Sequence, residues 1–95
     1  MSSELTPLER RDLSARAHHL SPVVTVGQKG LTESVLREID RALTAHELIK
    51  VRVDGDDRAA RTAMLDDICA RTGASAVKQV GKVLILWRAR PLETT

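Results

Sequence analysis

The sequence predicts a single α/β domain in which helices and strands follow the order αβαβαββ and the strands form one mixed four-stranded sheet. Three observations lead to this prediction. Segments with helical periodicity alternate with short strand-like runs, so that two helices connect strands in the manner of crossovers. Only two residues separate the last two strands, as in an antiparallel hairpin. A chain of 95 residues can bury an adequate core without metals or disulfides.

The first helix is predicted by the residues at its start. Thr6 precedes Pro7, and Glu9 follows the threonine by three positions, which is the pattern of a capping box with proline at the first helical position. The helix is expected to run from residue 7 to residue 18 or 19, because Pro22 disfavours helical geometry before it. Its few apolar residues predict that only a narrow stripe is buried.

A strand, a helix and a second strand are expected next. Residues 23–26 form a β-branched run typical of a strand. After a glycine loop, apolar residues at helical spacing predict a helix from about residue 32 to residue 46. Residues 47–53 alternate in the manner of a strand with one face on the core. The core face is expected to carry Ile49, Val51 and Val53, and the opposite, partly exposed face Leu48, Lys50 and Arg52.

The last third of the chain predicts a helix followed by a hairpin. Asp57 can cap the third helix, and Gly73 is suited to end it in a left-handed conformation. Strands are expected over residues 76–80 and 83–88, with Gly81-Lys82 as the tight loop between them. The second of these is apolar on both faces, which indicates a central strand. The inward face of the third helix is expected to carry Ala60, Met64, Leu65 and Ile68.

The domain is expected to span residues 5–90, with flexible tails at 1–4 and 91–95. The single cysteine, Cys69, cannot form an internal disulfide, and no Cys/His group has zinc-binding spacing. No leader-like segment and no apolar run of about 18 residues is present, so neither secretion nor a membrane span is expected. These features favour a cytoplasmic protein, expected to be monomeric, with no cofactor.

The positive charge is unevenly distributed. The net charge is +2, but residues 1–47 contain six basic and seven acidic side chains, whereas residues 48–95 contain nine and six. Between Asp67 and Glu93 there are five basic residues and no acidic one. Clustering of this kind favours an anionic partner.

The loop Gly27-Gln28-Lys29-Gly30 is the main candidate for binding that partner. Two glycines allow the backbone to turn sharply and to approach a ligand closely. The loop opens onto the start of a helix, where unpaired N–H groups and the helix dipole attract anions. KH domains bind a nucleic-acid backbone through a GxxG loop. The alternative is a strand-to-helix turn in which the glycines serve geometry alone.

A series of motifs along the chain resembles the CRM domain (chloroplast RNA splicing and ribosome maturation) in its stand-alone bacterial YhbY-like form. The resemblance extends from about residue 5 to residue 90. The motifs are Ala17-His18, Leu20, Pro22-Val23-Val24, Gly27, Gly30-Leu31-Thr32-Glu33, His46-Glu47-Leu48-Ile49-Lys50-Val51 and Gly81-Lys82-Val83-Leu84.

The resemblance implies an RNA-binding fold similar to the C-terminal domain of translation initiation factor three, association with precursors of the large ribosomal subunit, and no catalysis. It assigns RNA contact to the loop residues Gly27, Gln28, Lys29 and Gly30 and to the basic strand positions Lys50, Lys82 and Arg88. Arg52 is added because alternation places it on the same strand face as Lys50. The expected partner is therefore ribosomal RNA of the large-subunit precursor, and no small-molecule substrate is expected.

Several alternatives remain open at this stage. Trp87, the only aromatic residue, can pack in the core or stack on a base. The basic face could bind acidic ribosomal or chaperone proteins instead of RNA. An enzyme is disfavoured, because the chain has no nucleophile and base at recognisable spacing and the loop lacks the GK[ST] ending of a nucleotide-binding P-loop. The histidines His18, His19 and His46 match no metal-ligand motif.

Overall fold

The computed structural model describes residues 5–90, and within them the predicted order αβαβαββ is confirmed. The tails expected at 1–4 and 91–95 lie outside the described residues. Most element boundaries agree with the sequence-based expectation to within one residue. The elements are α1 (Pro7–Ala17), β1 (Val24–Val26), α2 (Glu33–His46), β2 (Leu48–Val53), α3 (Arg58–Thr72), β3 (Ser75–Val80) and β4 (Val83–Trp87).

The four strands form one mixed sheet in the order β1-β2-β4-β3. β1 lies parallel to β2, and β4 lies antiparallel to both β2 and β3. The prediction that the last strand is central is therefore confirmed. Leu84 and Ile85 are neighbours on β4 that face opposite sides of the sheet, and both are buried, at 0% and 4% exposed. A strand covered on both faces needs apolar residues at consecutive positions.

Helices cover both faces of the sheet. α2 and α3 lie on one face, and their apolar side chains pack with the strands to form the larger core. α1 lies on the other face and buries only Leu13 and Ala17 from its own residues, as its sparse apolar content predicts. The larger core includes Val26, Ile39, Leu43, Ile49, Val51, Ile68, Leu84 and Leu86. The smaller one is formed by Leu5, Leu13, Ala17, Leu48, Val77 and Ile85, with Val83 and Trp87 packed against it.

The predicted helix caps are present. In the capping box of α1, the Glu9 backbone N–H donates to Thr6 Oγ1 at 3.1 Å, and the Thr6 N–H donates to Glu9 Oε1 at 2.9 Å. Asp57 caps α3 by accepting from the Ala60 N–H at 3.2 Å. α3 ends at Gly73 with φ of +76°, which glycine adopts without steric penalty.

The predicted inward face of α3 is wrong at one position. Ala60 is exposed, and the next residue, Arg61, is buried at 8% exposed. Arg61 is in phase with Leu65 and Ile68, so the buried stripe of the helix begins one residue later than expected. Arg61 Nη1 donates to the Gly55 carbonyl at 2.8 Å. This bond pairs one end of the guanidinium, whereas the buried Nε has no hydrogen-bond partner within residues 5–90.

A β-bulge interrupts β3. Ala76 lies opposite Leu86 and Lys78 lies opposite Ile85, so Val77 is an extra residue in the ladder. Directly opposed residues share a face of an antiparallel pair, which places Lys78 on the α1 face together with Ile85. Strict alternation would have placed Val77 and Lys78 on opposite faces. The bulge therefore leaves Val77 buried beneath α1 and turns Lys78 to the same side.

Candidate nucleic-acid interface

The loop at residues 27–30 is a tight turn between β1 and α2. The Gly30 N–H donates to the Gly27 carbonyl at 3.0 Å, which closes the turn. Gln28 and Lys29 occupy its two central positions, and both side chains are exposed. The turn thus presents an amide and an ammonium group to solvent beside the start of α2.

The two glycines of the loop have different roles in the structure. Gly30 has φ of +77°, a conformation that is unfavourable for any residue with a Cβ atom. Gly27 does not have a positive φ, and a Cβ atom placed on it would meet nothing within 4 Å. Gly30 is therefore required by the turn itself. Gly27 leaves open space on the surface, where another backbone can approach closely.

The start of α2 adds partial positive charge behind the loop. Thr32 is the N-cap, and its Oγ1 accepts from the Val35 N–H at 3.2 Å. The first turn of a helix carries further N–H groups without partners within the helix, and the dipole makes this end attractive to anions. Glu33 also lies in this turn and is exposed, so its carboxylate opposes part of that attraction.

Arg52 and Lys82 lie at the same end of the sheet as the loop. Two backbone bonds connect the ends of the strands there: the Asp54 N–H donates to the Val26 carbonyl at 3.0 Å, and the Val53 N–H donates to the Lys82 carbonyl at 2.7 Å. Val26 is the residue before the loop, and Lys82 lies at the tip of the β3–β4 hairpin. The structure therefore brings together the loop and two of the predicted basic residues.

Both of these cations are paired with carboxylates of the turn at 54–57. Arg52 Nε lies 3.5 Å from Asp54 Oδ1, and Lys82 Nζ lies 3.4 Å from Asp56 Oδ1. The four side chains are between 43% and 99% exposed. Exposed ion pairs contribute between 0 and about 1 kcal/mol, so phosphate can replace these carboxylates at little cost.

Lys50 lies on the α1 face, near the middle of the sheet. Its Nζ donates to the Leu20 carbonyl at 2.9 Å, which connects β2 to the segment after α1. An ammonium group has three donors, so the remaining two are available for a ligand. Lys50 therefore belongs to a different part of the surface from the loop, although it shares a strand face with Arg52.

Arg88 follows β4 at the end opposite to Lys82, and its side chain is only 21% exposed. Its guanidinium connects α2 to the end of α3. Nη1 donates to Asp40 Oδ1 at 2.7 Å and to the Thr72 carbonyl at 2.9 Å, and Nη2 donates to the Asp40 carbonyl at 3.1 Å and to Thr44 Oγ1 at 2.9 Å. The structure does not bring Arg88 to the loop.

The remaining candidate groups are the single cysteine and the side chains that could bind a metal ion. Cys69 packs partly buried against the larger core, and burial together with the Asp66 charge raises the pKa of its thiol to about 11. Such a thiol stays protonated at neutral pH and is a poor nucleophile. Within residues 5–90, His, Cys, Asp and Glu side chains form no group of three that could hold a metal ion. No helix in this part of the chain is long and apolar enough to cross a bilayer.

Sequence reasoning missed the contribution of Arg61. Its bond to the Gly55 carbonyl holds the turn at 54–57, which carries the carboxylates that pair with Arg52 and Lys82. Its helical phase with Leu65 was visible in the sequence, but a charged residue at a core position gives no local sign of burial. For Trp87, the structure shows a partly buried side chain packed against the smaller core.

A known protein family matches nearly all of the described chain. The family model of the CRS1 / YhbY (CRM) domain matches residues 5–88 of the sequence. The chain belongs to the CRM domain family. Its fold is also close to that of a candidate RNA-binding protein of Staphylococcus aureus determined in solution. The TM-score is 0.83 at 26% identity, and the match covers 95% of this chain and 94% of the other.

Two curated bacterial relatives cover most of this CRM protein. A probable RNA-binding protein of Pseudomonas aeruginosa is 41% identical over 87 residues, or 92% of this chain and 84% of the relative. An RNA-binding protein of Haemophilus influenzae is 45% identical over 84 residues, or 88% of this chain and 85% of the relative. Both are named as RNA-binding proteins and neither as an enzyme.

Proposed function

We propose that this CRM protein binds ribosomal RNA of the large-subunit precursor and assists assembly of the ribosome, without catalysing a reaction. The observation that carries the proposal is the exposed GQKG turn, with open space at Gly27 and the Arg52 and Lys82 cations at the same end of the sheet. Family membership supports RNA as the anionic partner. The protein is expected to act as a cytoplasmic monomer.

The loop binds the phosphate backbone in this proposal. A phosphate accepts hydrogen bonds from the first turn of α2 and from Gln28, and Lys29 contributes a full charge. Lys50, Arg52 and Lys82 extend the contact along the sheet. Sequence preference is expected to be weak, because these contacts read backbone shape and not base edges.

Arg88 has a supporting role in the proposal. Its four hydrogen bonds use most of the donors of the guanidinium. Contact with RNA would require some of these bonds to break. We therefore assign it to the stability of the domain that presents the other seven predicted residues.

The decisive experiment replaces Gln28 and Lys29 with aspartate and measures binding to large-subunit ribosomal RNA transcribed in vitro. Binding is expected to weaken by on the order of tenfold, and wild-type affinity should fall steeply with salt. The control is the double variant Ala70→Asp/Arg71→Asp, which changes the net charge by the same amount as the loop variant. Its substitutions lie at exposed positions near the end of α3. It should bind nearly as the wild type does.

Two results would contradict the proposal. Equal affinity of the loop variant and the wild type would remove the loop from the RNA interface. An acidic protein partner retained after thorough nuclease treatment, without RNA binding by the pure protein, would favour a protein-interaction module. The role in assembly is tested separately by co-sedimentation of the protein with large-subunit precursors in cell extracts.

A further inference from the structure

A groove of about 630 Å³ lies between α1 and β3, on the face of the sheet that α2 and α3 do not cover. One side of α1 forms its first wall, since the lining residues recur at helical spacing. β3 forms the second wall at its bulge. The principal lining residues are Arg10, Arg11, Ser14, His18, Val77 and Lys78.

The three cations of this groove have no ion-pair partner among residues 5–90. Arg10, Arg11 and Lys78 are all exposed, whereas Arg52, Lys82 and five other arginines of this part of the chain bond to carboxylates or backbone carbonyls. Like charges repel one another, so cations gathered without carboxylates favour an anionic ligand.

The acidic residues of α1 do not neutralise the groove. Glu9 Oε1 accepts from the Thr6 N–H in the capping box, and this contact lowers the pKa of the carboxyl group. Asp12 Oδ2 lies 4.0 Å from Arg16 Nη1 on another side of the helix. Neither Glu9 nor Asp12 lines the groove. The acidic and basic side chains of residues 9–12 are thus separated in the folded protein.

The β3 bulge supplies the cation on the opposite wall. Because Lys78 lies opposite Ile85, its side chain is on the α1 face, as is that of the buried Val77. Bulges commonly redirect one side chain toward a functional surface. Here the bulge gives the groove both an apolar floor and a basic rim from consecutive residues.

The groove continues toward a residue already proposed to contact RNA. An adjoining hollow of about 350 Å³ shares Ser14, His18 and Lys78 with it and extends to Lys50 and Val83. Val83 begins β4 directly after the hairpin tip that carries Lys82. A basic surface therefore runs from α1 across the sheet to the end that carries the GQKG loop.

We propose that the α1–β3 groove binds a second stretch of RNA backbone, with phosphates at Arg10, Arg11 and Lys78. This inference rests on the proposed function, since it assumes that RNA is the ligand of the loop. Continuity with Lys50 favours RNA over an acidic peptide. The domain then contacts RNA at two places, one beside edge strand β1 and one beside edge strand β3, which selects RNA by shape.

The test uses the double variant Arg11→Gln/Lys78→Gln, which has one substitution in each wall of the groove. It is compared with a matched control double variant, Arg41→Gln/Arg71→Gln, whose substitutions lie on α2 and α3. All four side chains are exposed, so the fold should persist, and thermal unfolding checks this. The probe is large-subunit ribosomal RNA at several KCl concentrations. The groove variant should bind on the order of tenfold more weakly, with a salt slope reduced by about 1.4 to 1.8 for two lost phosphate contacts.

The outcomes separate this inference from the proposed function. If the groove variant matches its control while the aspartate loop variant loses RNA, the groove inference is wrong and the loop proposal stands. If the wild type does not bind RNA, both fail. If the groove variant retains RNA but loses binding to a polyglutamate peptide, the groove serves an acidic protein and the inference is overturned. Should the double variant unfold, each single variant must lower the salt slope by about half as much.

Discussion

Lys82 Nζ lies 3.4 Å from Asp56 Oδ1, and this ion pair connects the tip of the β3–β4 hairpin to the turn before α3. Asp56 is almost completely exposed, at 99%, and the lysine side chain is 43% exposed. The pair has a small effect on stability, because water solvates both groups well. The Asp56 carboxylate nevertheless pairs with Lys82, a cation beside the proposed RNA-binding loop.

Replacing Asp56 with asparagine is expected to strengthen RNA binding by about two- to fivefold. The substitution removes a carboxylate that competes with phosphate for Lys82, in an ion pair that contributes up to about 1 kcal/mol. It also removes one negative charge from this end of the sheet. Filter binding at constant salt would measure the change. Asp67→Asn is the matched control, because Asp67 pairs with Arg71 at 3.2 Å on α3. Equal affinities for the two variants would contradict a competing role for Asp56.

Alanine substitutions at the two loop glycines are expected to affect different properties of the protein. Gly30→Ala should destabilise the fold by about 1–2 kcal/mol, because φ at this position is +77°. Gly27→Ala should change stability by less than about 0.5 kcal/mol, because its added methyl group meets no neighbour. If RNA approaches the backbone at Gly27, the second variant should still bind RNA several-fold more weakly. Urea unfolding and RNA titration of both variants provide the check, and full binding by folded Gly27→Ala would exclude close approach there.

Loss of the Arg88 side chain is expected to reduce stability more than RNA affinity. Arg88→Ala removes the bonds to Asp40, Thr44 and the Thr72 carbonyl. Hydrogen bonds that involve charged groups contribute about 1.5–3 kcal/mol, so a loss of about 2–3 kcal/mol is expected for this partly exposed network. The control Arg58→Ala removes an exposed arginine and should have little effect. Unchanged thermal stability together with weakened RNA binding would instead assign Arg88 to direct contact.

The capping box of α1 predicts a dependence of stability on pH. Hydrogen bonds from the backbone and side chain of Thr6 lower the pKa of Glu9 below its ordinary value of 4.5. A group whose pKa is lower in the folded state stabilises the protein above its unfolded pKa, and this contribution is lost as pH falls through the folded value. Glu9→Ala should therefore be less stable than the wild type at pH 7, and the difference should shrink below about pH 4.5. A constant difference in urea midpoint down to strongly acidic pH would contradict the assignment.

The sequence by itself determined the elements of this protein, because their signals are local. A few neighbouring residues specify each cap, each helix and the Gly81-Lys82 hairpin loop, and the structure contains all of these elements, although the buried stripe of α3 begins one residue later than predicted. The central position of β4 also followed from its composition, since both of its faces had to be covered. The family resemblance, carried by motifs spread along the chain, was confirmed in the same way.

Only the tertiary structure decided which group each cation meets. Lys78 reaches the α1 face through a bulge, Arg61 is buried through the phase of α3, and Arg88 bonds to α2 from the far end of β4. These outcomes depend on strand register and on contacts between residues distant in sequence, which local propensity does not predict. Long basic side chains look alike in a sequence. Their partners in the fold distinguish a structural arginine from a cation available to RNA.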